Sequence, residues 1–389
     1  MKQHAEFDLV VYGASGFTGR LVAEYLGQAG AGVRWAMAGR DAGKLAAVRA
    51  ELGLPESIPL LVADAADPAS LRAMAERTRL VLTTVGPYQL YGEPLLAACV
   101  EAGSDYVDLC GEPAWMRGMI DRYDDAAKRS GARIVFSCGF DSIPFDLGVY
   151  FLQQAAKQRF GAPLVRIKGR VSRMKGSFSG GTAASLQATL AAAKADPKIR
   201  ELLVNPFALT PGFTGPAQPP ADRPEYDAAL GSWAAPFIMA AINTRNVHRS
   251  NLLLGHAYGQ DFVYDEMLLT GPGEQGQAIA QAVAGDRTMA SDKAPKPGEG
   301  PSLEERENGF YEVRFLGETA DGRTLEAVVA GKRDPGYGST CRMITQSALC
   351  LLNEATGTAG GVWTTAPAMG DALIARLSEH ADLTFRLQD

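Results

Sequence analysis

The chain has 389 residues, of which 46% are apolar and 21% are charged, and this composition indicates an ordinary soluble protein that can fill two cores. Its net charge of −6 argues against a nucleic-acid partner, because no basic stripe offsets the acidic excess. The longest apolar runs are far shorter than the roughly 18 residues of a membrane span. A transmembrane helix is therefore not expected, whereas peripheral membrane contact stays open.

Cysteine and histidine usage bears on the redox compartment and on metal binding. The chain has 5 cysteines without a Cys-x-x-Cys pair and 4 histidines without metal-ligand spacing. Together with the absence of an N-terminal signal pattern, these features predict a reducing, cytoplasmic location, no metal and no serine triad. We interpret Cys138 as a small buried apolar residue, because the sequence supplies no neighbouring histidine base for a nucleophile.

A glycine-rich turn begins at Gly13, directly after a short apolar strand that starts at Leu9. Gly13 allows a sharp turn off the strand, Gly16 lets backbone amides approach a pyrophosphate, and Gly19 lets the next helix pack closely. The helix then faces the anion with its unpaired N–H groups. For the glycine triplet alone, a plain strand-turn-helix is the alternative. The predicted dinucleotide-binding residues are Gly13, Ala14, Ser15, Gly16, Phe17, Thr18 and Gly19.

The end of the second predicted strand, residues 33–38, bears on cofactor preference. It is followed by Gly39 and Arg40, and a guanidinium can grip a ribose 2′-phosphate in bidentate fashion. We therefore expect NADPH in preference to NADH, with Gly39, Arg40 and Lys44 as cofactor-binding residues. Asp41 could instead bind a ribose hydroxyl, although its position suits a helix N-cap equally well. Arg40 could also be a solvated loop cation.

Strands and helices go on alternating up to about residue 145. Further strands are predicted at 59–63, 80–85, 106–109 and 133–137, and helices at 68–77 and 114–128. Alternation with right-handed crossovers predicts a doubly wound parallel sheet of strand order 3-2-1-4-5-6. Residues 1–145 are therefore predicted to form an NADP-binding Rossmann domain.

Ligands of such a sheet bind outside the carboxyl ends of its strands. Asp64, after the third strand, is expected near the adenine, although it could equally cap a turn. The residues expected near the nicotinamide ribose, after the fourth strand, are Thr84, Val85, Gly86 and Pro87.

Beyond residue 145 the pattern predicts a second, α+β domain over residues 146–335, for substrate binding or oligomerisation. Strands are predicted at 164–174, 310–317 and 323–330, with a flexible loop at 175–182 that opens an alanine-rich helix at 182–194. A mixed or antiparallel sheet with helices on one face is expected. Residues 210–224 and 291–301 read as surface loops, and the first could be a lid over a substrate. In the remaining segment, 336–389, helices at 338–356 and 366–379 are expected to pack back on the Rossmann domain.

Several motifs along the chain together carry a family resemblance. They are Gly13–Gly19, Ala38–Arg40, Thr84–Tyr88, Tyr91–Pro94, Asp105–Glu112, Gly139–Pro144, Asp334–Thr340 and Gly360–Trp363. With these motifs the chain resembles the saccharopine dehydrogenase-like oxidoreductases and, within them, the trans-acting enoyl reductase branch. The resemblance implies a reductase that takes hydride from NADPH. It also implies an acyl substrate, a small molecule or a carrier-bound polyketide-type lipid intermediate.

The candidate catalytic residues follow from the chemistry of enoyl reduction, in which a proton reaches the α-carbon and a donor stabilises the thioester oxygen. Tyr88 and Tyr91, just beyond the fourth strand, could do either job, or could simply be packing residues. Glu112 is a third candidate for proton handling. Asp141 could orient substrate or cofactor, or could cap a helix together with Ser142.

Two other functions stay open at the level of sequence. A saccharopine-type enzyme would reduce C=N in an amino-acid conjugate and would need cations for several carboxylates. The basic residues that could supply them, or form a solvated strand face, are Arg166, Lys168, Arg170, Arg173 and Lys175. Alternatively, the protein could be a non-catalytic dinucleotide-binding interaction module. A homodimer is the default expectation for its assembly.

Overall fold

The computed structural model describes residues 5–30, 32–140, 142–178, 180–296 and 298–388, and their strands form two seven-stranded sheets. The strands of sheet A are β1 (Phe7–Tyr12), β2 (Trp35–Gly39), β3 (Leu60–Val62), β4 (Thr78–Thr83), β5 (Asp105–Val107), β6 (Arg133–Val135) and β13 (Gly361–Trp363). Between its first six strands run the helices α1 (Phe17–Ala29), α2 (Ala42–Glu51), α3 (Pro68–Glu76), α4 (Tyr88–Ala102) and α5 (Pro113–Ser130).

Sheet A is parallel throughout and has the order β13-β6-β5-β4-β1-β2-β3. Its first six strands confirm the doubly wound order predicted from the sequence. The seventh strand, β13, comes from near the end of the chain and pairs with β6, with Val362 opposite Ile134. We did not predict β13, because a strand of three residues that begins at a glycine has too little periodicity to be recognised.

Helix α4 was also missed by the sequence analysis. Gly92 and Pro94 lie inside it, and both residues weaken a helical pattern. In the structure Pro94 lies in the second turn, and the helix continues to Ala102. Tyr88 and Tyr91 therefore lie in the first turn of a helix and not in a loop after β4.

Sheet B is mixed, and its strands come mostly from the second half of the chain. They are β7 (Leu164–Lys175), β8 (Glu225–Asp227), β9 (Ser232–Pro236), β10 (Val263–Gly271), β11 (Phe310–Thr319), β12 (Thr324–Lys332) and β14 (Leu383–Gln388). The order is β14-β12-β11-β7-β10-β9-β8. Only the β7–β10 pair is parallel, and the predicted hairpin of β11 and β12 is present.

Eight more helices complete the described part of the chain. They are α6 (Ile143–Phe160), α7 (Gly180–Ala195), α8 (Pro197–Val204), α9 (Ala240–Leu253), α10 (Gly273–Gly285), α11 (Leu303–Glu307), α12 (Thr340–Asn353) and α13 (Thr365–His380), with a short 3₁₀ turn at Thr288–Ala290. The helix expected at 338–356 is divided into a π-turn at Pro335–Ser339 and α12. Within the described ranges, no helix is long and apolar enough to cross a membrane.

The hydrophobic core is continuous between the two sheets. One cluster of buried side chains includes Val135 of sheet A and both Val313 and Phe315 of sheet B. Helix α6 lies against sheet B so closely that a Cβ on Gly148 would be 2.4 Å from the Phe315 ring. Because β13 joins sheet A and β14 joins sheet B, the end of the chain contributes to both sheets. The domain boundaries at residues 145 and 335 stay a prediction.

Candidate active site

A cavity of about 360 Å³ lies at the carboxyl ends of the central strands of sheet A. Thr84, Leu109 and Ser137, which follow β4, β5 and β6, line one side of it. The opposite side is lined by residues from α7 and α8, from the start of α9 and from the π-turn. This is the location at which a doubly wound sheet binds its ligands.

The glycine-rich turn after β1 has the close backbone packing that a dinucleotide requires. Gly13 has φ of +90°, which favours glycine. A Cβ on Gly19 would lie 2.1 Å from the Gly13 carbonyl oxygen, so only glycine allows α1 to start this close to the turn. Gly16 is the N-cap residue of α1, and no side chain caps this helix. Thr18, in the first turn of α1, lines the cavity. These residues fit the pyrophosphate of a dinucleotide, whose oxygens the free N–H groups of α1 would bind.

Arg40 and Asp41 have different environments at the end of β2. The Asp41 carboxylate accepts a hydrogen bond of 2.9 Å from Lys44 N and caps α2. Arg40 is exposed, and its guanidinium makes no hydrogen bond or ion pair with another described residue. Of the two, Arg40 is therefore the one whose side chain is available to a cofactor.

The remaining predicted cofactor residues follow β3 and β4. Asp64 accepts a hydrogen bond of 2.9 Å from Ala66 N, so its carboxylate caps its own turn, the alternative considered from the sequence. Thr84 and Gly86 line the cavity, and Val85 N donates to Thr83 Oγ1 at 3.2 Å. Cofactor contact by Asp64 stays a prediction.

The two tyrosines of α4 differ in their surroundings. The Tyr88 ring is buried and lines the cavity, but its hydroxyl oxygen accepts from Leu109 N at 3.1 Å and donates to Thr83 O at 3.4 Å. Burial, with a further contribution from Asp108, raises the pKa of Tyr88 well above its usual value. Tyr91 is 46% exposed and does not line the cavity.

Glu112 is buried, lies at the N-cap position of α5, and caps the start of α4 with its carboxylate. Its Oε1 accepts from Tyr88 N at 2.9 Å, and its Oε2 accepts from Gln89 N at 2.8 Å. The Ser185 hydroxyl donates to Oε1 at 2.8 Å. A carboxylate at a helix N-terminus is stabilised by the unpaired N–H groups and by the helix dipole. Asp141, the fourth candidate, lies outside the described residues, and all four catalytic roles stay predictions.

Helix α7 covers the cavity and bonds to its opposite wall through three hydroxyls on one face. Thr182 Oγ1 lies 3.3 Å from Tyr337 Oη, Ser185 bonds to Glu112, and Thr189 Oγ1 accepts from Gln89 Nε2 at 3.1 Å. Ser185 and Thr189 follow Thr182 by three and seven residues, so the three hydroxyls lie along one face of the helix. In the rest of α7 only Gly180 and Ala183 are buried. The sequence predicted the helix but not its position, because every partner is distant in the chain. The predicted lid at 210–224 contributes no lining residue.

Every described side chain that lines the cavity is uncharged. Apolar lining residues from α7, α8, α9, the segment before α9 and the 3₁₀ turn are Leu186, Leu190, Leu203, Ile238, Met239, Ile242 and Met289. Among the described lining side chains, only Tyr88 and Tyr337 have a titratable proton. The cavity therefore suits an apolar chain, and the part of its lining that the structure describes offers no cation to a substrate carboxylate.

The basic residues of β7 do not reach the cavity. None of Arg166, Lys168, Arg170, Arg173 and Lys175 is among its lining residues. Arg170 is buried and forms ion pairs with Asp265 at 2.7 Å and Asp227 at 3.1 Å. Asp227 also pairs with Lys168 at 3.3 Å, and Asp265 pairs with Arg166. The charges of Arg166, Lys168 and Arg170 are therefore neutralised within sheet B.

Tyr337 and Thr182 are cavity residues that the sequence analysis did not single out as functional. The available signal was the run Asp334–Thr340, which was noted only as a family motif. The sequence analysis predicted only a helix from residue 338, and nothing local predicted that the turn before it contacts α7.

Comparisons with known proteins agree with this fold. Residues 9–135 match the NADP binding domain of saccharopine dehydrogenase. A Mycobacterium bovis protein named trans-acting enoyl reductase is 40% identical over 96% of this chain and 96% of its own length. A relative from Mycobacterium tuberculosis, assigned to the same type, is 43% identical over 96% of this chain and 95% of its own. The solved structure of saccharopine dehydrogenase from Saccharomyces cerevisiae shares the fold, with a TM-score of 0.56 at 12% identity over 98% of this chain and all of its own.

The chain therefore belongs to the saccharopine dehydrogenase-like oxidoreductases and, within them, to the trans-acting enoyl reductase branch. It is an oxidoreductase with an NADP-binding domain.

Proposed function

We propose that the protein uses NADPH to reduce the C=C bond of an α,β-unsaturated acyl thioester of the lipid or polyketide type. The observation that carries this proposal is the uncharged lining of the cavity over its described residues. A thioester has no net charge near its reacting carbons, and its acyl chain gains free energy from contact with the leucine, isoleucine and methionine side chains.

The same observation disfavours C=N chemistry on an amino-acid conjugate. Such a substrate brings several carboxylates, and burying an unpaired carboxylate in an apolar cavity costs several kcal/mol or more. Two of the arginines that could have paired with those carboxylates, Arg166 and Arg170, are already paired with aspartates of sheet B.

The preference for NADPH rests on the end of β2. A 2′-phosphate needs a cation there, and Arg40 has a free, exposed guanidinium, whereas the Asp41 carboxylate that could bind a ribose hydroxyl caps α2. Lys44, in the first turn of α2, is close enough in sequence to add a second positive charge. The glycine-rich turn would hold the pyrophosphate, and Thr84 and Gly86 would face the nicotinamide ribose.

When bound, the cofactor supplies a hydride to the β-carbon of the substrate. The protein's own residues exclude water, orient the acyl chain and supply a proton. Helix α7 closes the cavity, and the residues of α8 and α9 hold the chain. The tyrosines and carboxylates singled out from the sequence, Tyr88, Tyr91, Glu112 and Asp141, stay candidates for proton handling. We also propose a cytoplasmic homodimer that meets its substrate free or on a carrier.

The test is NADPH consumption by the purified protein with two kinds of substrate. We expect turnover with an α,β-unsaturated acyl thioester of N-acetylcysteamine and none with an amino acid plus a keto acid. Turnover with the amino-acid pair alone would assign C=N chemistry. Failure to bind either NADPH or NADH in a fluorescence titration would contradict enzymatic function altogether.

A further inference from the structure

We propose that Tyr337 is the proton donor of the reduction and that Thr182 of α7 holds its hydroxyl toward the substrate. The inference rests on the proposed enoyl reduction. It assigns the role of general acid to a residue of the π-turn and not to a residue that follows a strand of sheet A. It follows from the lining of the cavity, from the way the π-turn is fixed, and from the hydrogen bonds of the competing tyrosine.

The lining leaves two candidates for the acid. Reduction of a C=C bond needs a proton at the α-carbon, and a proton delivered by a side chain must come from a titratable group that reaches the cavity. Among the described lining residues, only Tyr88 and Tyr337 meet this requirement. The other polar lining residues are serines and threonines, whose hydroxyls are far weaker acids than a phenol.

Tyr88 is the poorer candidate of the two. Its hydroxyl oxygen is held by Leu109 N at 3.1 Å, and its proton is directed at the carbonyl oxygen of Thr83 at 3.4 Å. Both partners are backbone groups at the ends of neighbouring strands, so the hydroxyl joins β4 to β5. To protonate a substrate, Tyr88 would have to break these bonds.

The Tyr337 hydroxyl contacts the hydroxyl of Thr182 on α7. Its Oη lies 3.3 Å from Thr182 Oγ1, and either oxygen can be the donor. Because threonine can donate as well as accept, Thr182 can hold the phenol as an acceptor of its proton, or donate to the phenolate once that proton has left. The Tyr337 ring packs edge-on against Phe17 in the glycine-rich turn, with 5.2 Å between centroids.

The π-turn that carries Tyr337 is fixed at both ends. The buried Asp334 carboxylate accepts from Tyr337 N at 2.9 Å and from Gly338 N at 2.7 Å. Thr340 donates to Pro335 O at 2.8 Å and accepts from Phe140 N, just after β6, at 3.0 Å. Single π-turns, which mostly occur inside α-helices, are frequent at functional sites. The phenol is thus placed against sheet A before substrate arrives, which lowers the cost of reorganisation.

The chemical step balances without a further reactant. As the hydride from NADPH forms the β C–H bond, the π electrons of the C=C bond move toward the α-carbon and the thioester oxygen. The O–H bond of Tyr337 then breaks, and its proton forms the α C–H bond. The phenolate that remains accepts a hydrogen bond from Thr182 and regains a proton from solvent.

The experiment compares Tyr337→Phe with Tyr311→Phe. Tyr311 is a matched control, because it is buried and its hydroxyl lies 3.0 Å from Ser339 Oγ in the same turn, but it does not line the cavity. With NADPH and the N-acetylcysteamine thioester, we expect Tyr337→Phe to lower kcat by about 100-fold or more and Tyr311→Phe to change it less than about threefold. The dissociation constants of NADPH, by fluorescence, and of the saturated thioester, by calorimetry, should change less than about threefold in both variants.

Thr182→Val provides a second variant if Tyr337→Phe does not fold. A donor to the phenolate lowers the pKa of a phenol, so removal of the Thr182 hydroxyl should raise that pKa. We expect the alkaline fall of kcat to move to higher pH and kcat at pH 7 to drop about tenfold. A merely structural threonine would leave the alkaline limb where it is, and that result would overturn the proposal.

Two other results would also overturn it. If Tyr337→Phe keeps kcat within about threefold of the unchanged protein, the phenol is not the acid. If the NADPH dissociation constant rises by the factor by which kcat/KM falls, Tyr337 is a cofactor ligand. Absence of thioester turnover in the unchanged protein would instead refute the proposed function, and the role of Tyr337 would fall with it.

Discussion

Arg40 is the residue on which the cofactor preference depends. The sequence offered two interpretations for the end of β2, because Arg40 suits a 2′-phosphate and Asp41 suits a ribose hydroxyl. The hydrogen bond from Lys44 N to the Asp41 carboxylate gives that carboxylate a structural role as the N-cap of α2. The sequence alone does not show which of these two neighbouring residues could bind the cofactor, since both are residue types that bind a ribose or its phosphate after the second strand of a Rossmann domain.

Arg40→Ala should therefore weaken NADPH binding selectively. We expect the dissociation constant of NADPH to rise about 10- to 100-fold and that of NADH to change less than about threefold, because only NADPH has the phosphate that the guanidinium would bind. Fluorescence titration of both nucleotides measures this. Arg129→Ala, which removes an exposed arginine in the last turn of α5, is the control. Equal losses for the two nucleotides would refute the assignment of Arg40.

Glu112 illustrates what sequence could not show about a single residue. Its position after the fifth predicted strand suggested proton handling, but its carboxylate receives hydrogen bonds from Tyr88 N, Gln89 N and Ser185 Oγ. The first two donors are more than twenty residues away in the chain, and the third is more than seventy residues away. Only the packed structure shows that one carboxylate links the start of α5, the start of α4 and the helix that covers the cavity.

Among the turns and helices around the cavity, the glycine-rich turn was the feature that the sequence predicted best. The spacing of Gly13, Gly16 and Gly19 predicted a close approach of α1 to the turn, and that approach is present. Helix α7 was predicted as a helix, but its position over the cavity was not, because its own sequence says nothing about the partners of its hydroxyls. Helix α4 was missed, since Gly92 and Pro94 obscured its pattern.

Gly19→Ala tests the packing of that turn. The new Cβ would lie 2.1 Å from the Gly13 carbonyl oxygen, so α1 must move away from the turn. We expect a loss of about 1–3 kcal/mol in the free energy of unfolding and NADPH binding at least about tenfold weaker. Urea unfolding and fluorescence titration measure the two effects.

Gly118→Ala is the matched control for this substitution. Gly118 lies inside α5, where a Cβ would meet nothing within 4 Å. Alanine there should stabilise the protein by up to about 1 kcal/mol and leave NADPH affinity unchanged. Similar losses in both variants would mean that the close approach at Gly19 has no special role.

For the whole molecule, the order of the first six strands of sheet A followed from the sequence because alternation and crossover handedness leave few topologies. The positions of the strands in the last part of the chain did not follow from the sequence. β13 and β14 are short strands that join different sheets, and such long-range pairing has no local signal. The buried polar groups were equally unpredictable, because the residue types of Asp108, Asp146 and Glu266 gave no sign of burial.

These buried acids should make the stability of the whole protein depend on pH. Burial raises the pKa of Asp146 to about 6, that of Asp108 to about 7 and that of Glu266 to about 8. In the unfolded chain they ionise near pH 4, so the folded state binds more protons between about pH 4 and pH 8. The free energy of unfolding should therefore fall as the pH rises through this window.

Asp108→Asn isolates one of the three contributions. An asparagine oxygen can still accept from Cys110 N and Ser137 N, which bond to Asp108 Oδ1 at 3.0 and 2.9 Å. The variant should lose less stability than the unchanged protein between about pH 4 and pH 7, by up to a few kcal/mol. Urea unfolding across that range measures the difference. Identical pH dependence in the two proteins would contradict a raised pKa for Asp108.

We propose that the protein transfers hydride from NADPH to the β-carbon of an enoyl thioester. The most direct measurement uses NADPH deuterated at the transferable position and mass spectrometry with NMR of the thioester product. We expect a saturated thioester with a single deuterium at the β-carbon and an α-hydrogen derived from solvent. An unchanged enoyl thioester, with deuterium transferred only to the product of an amino acid and a keto acid, would contradict it.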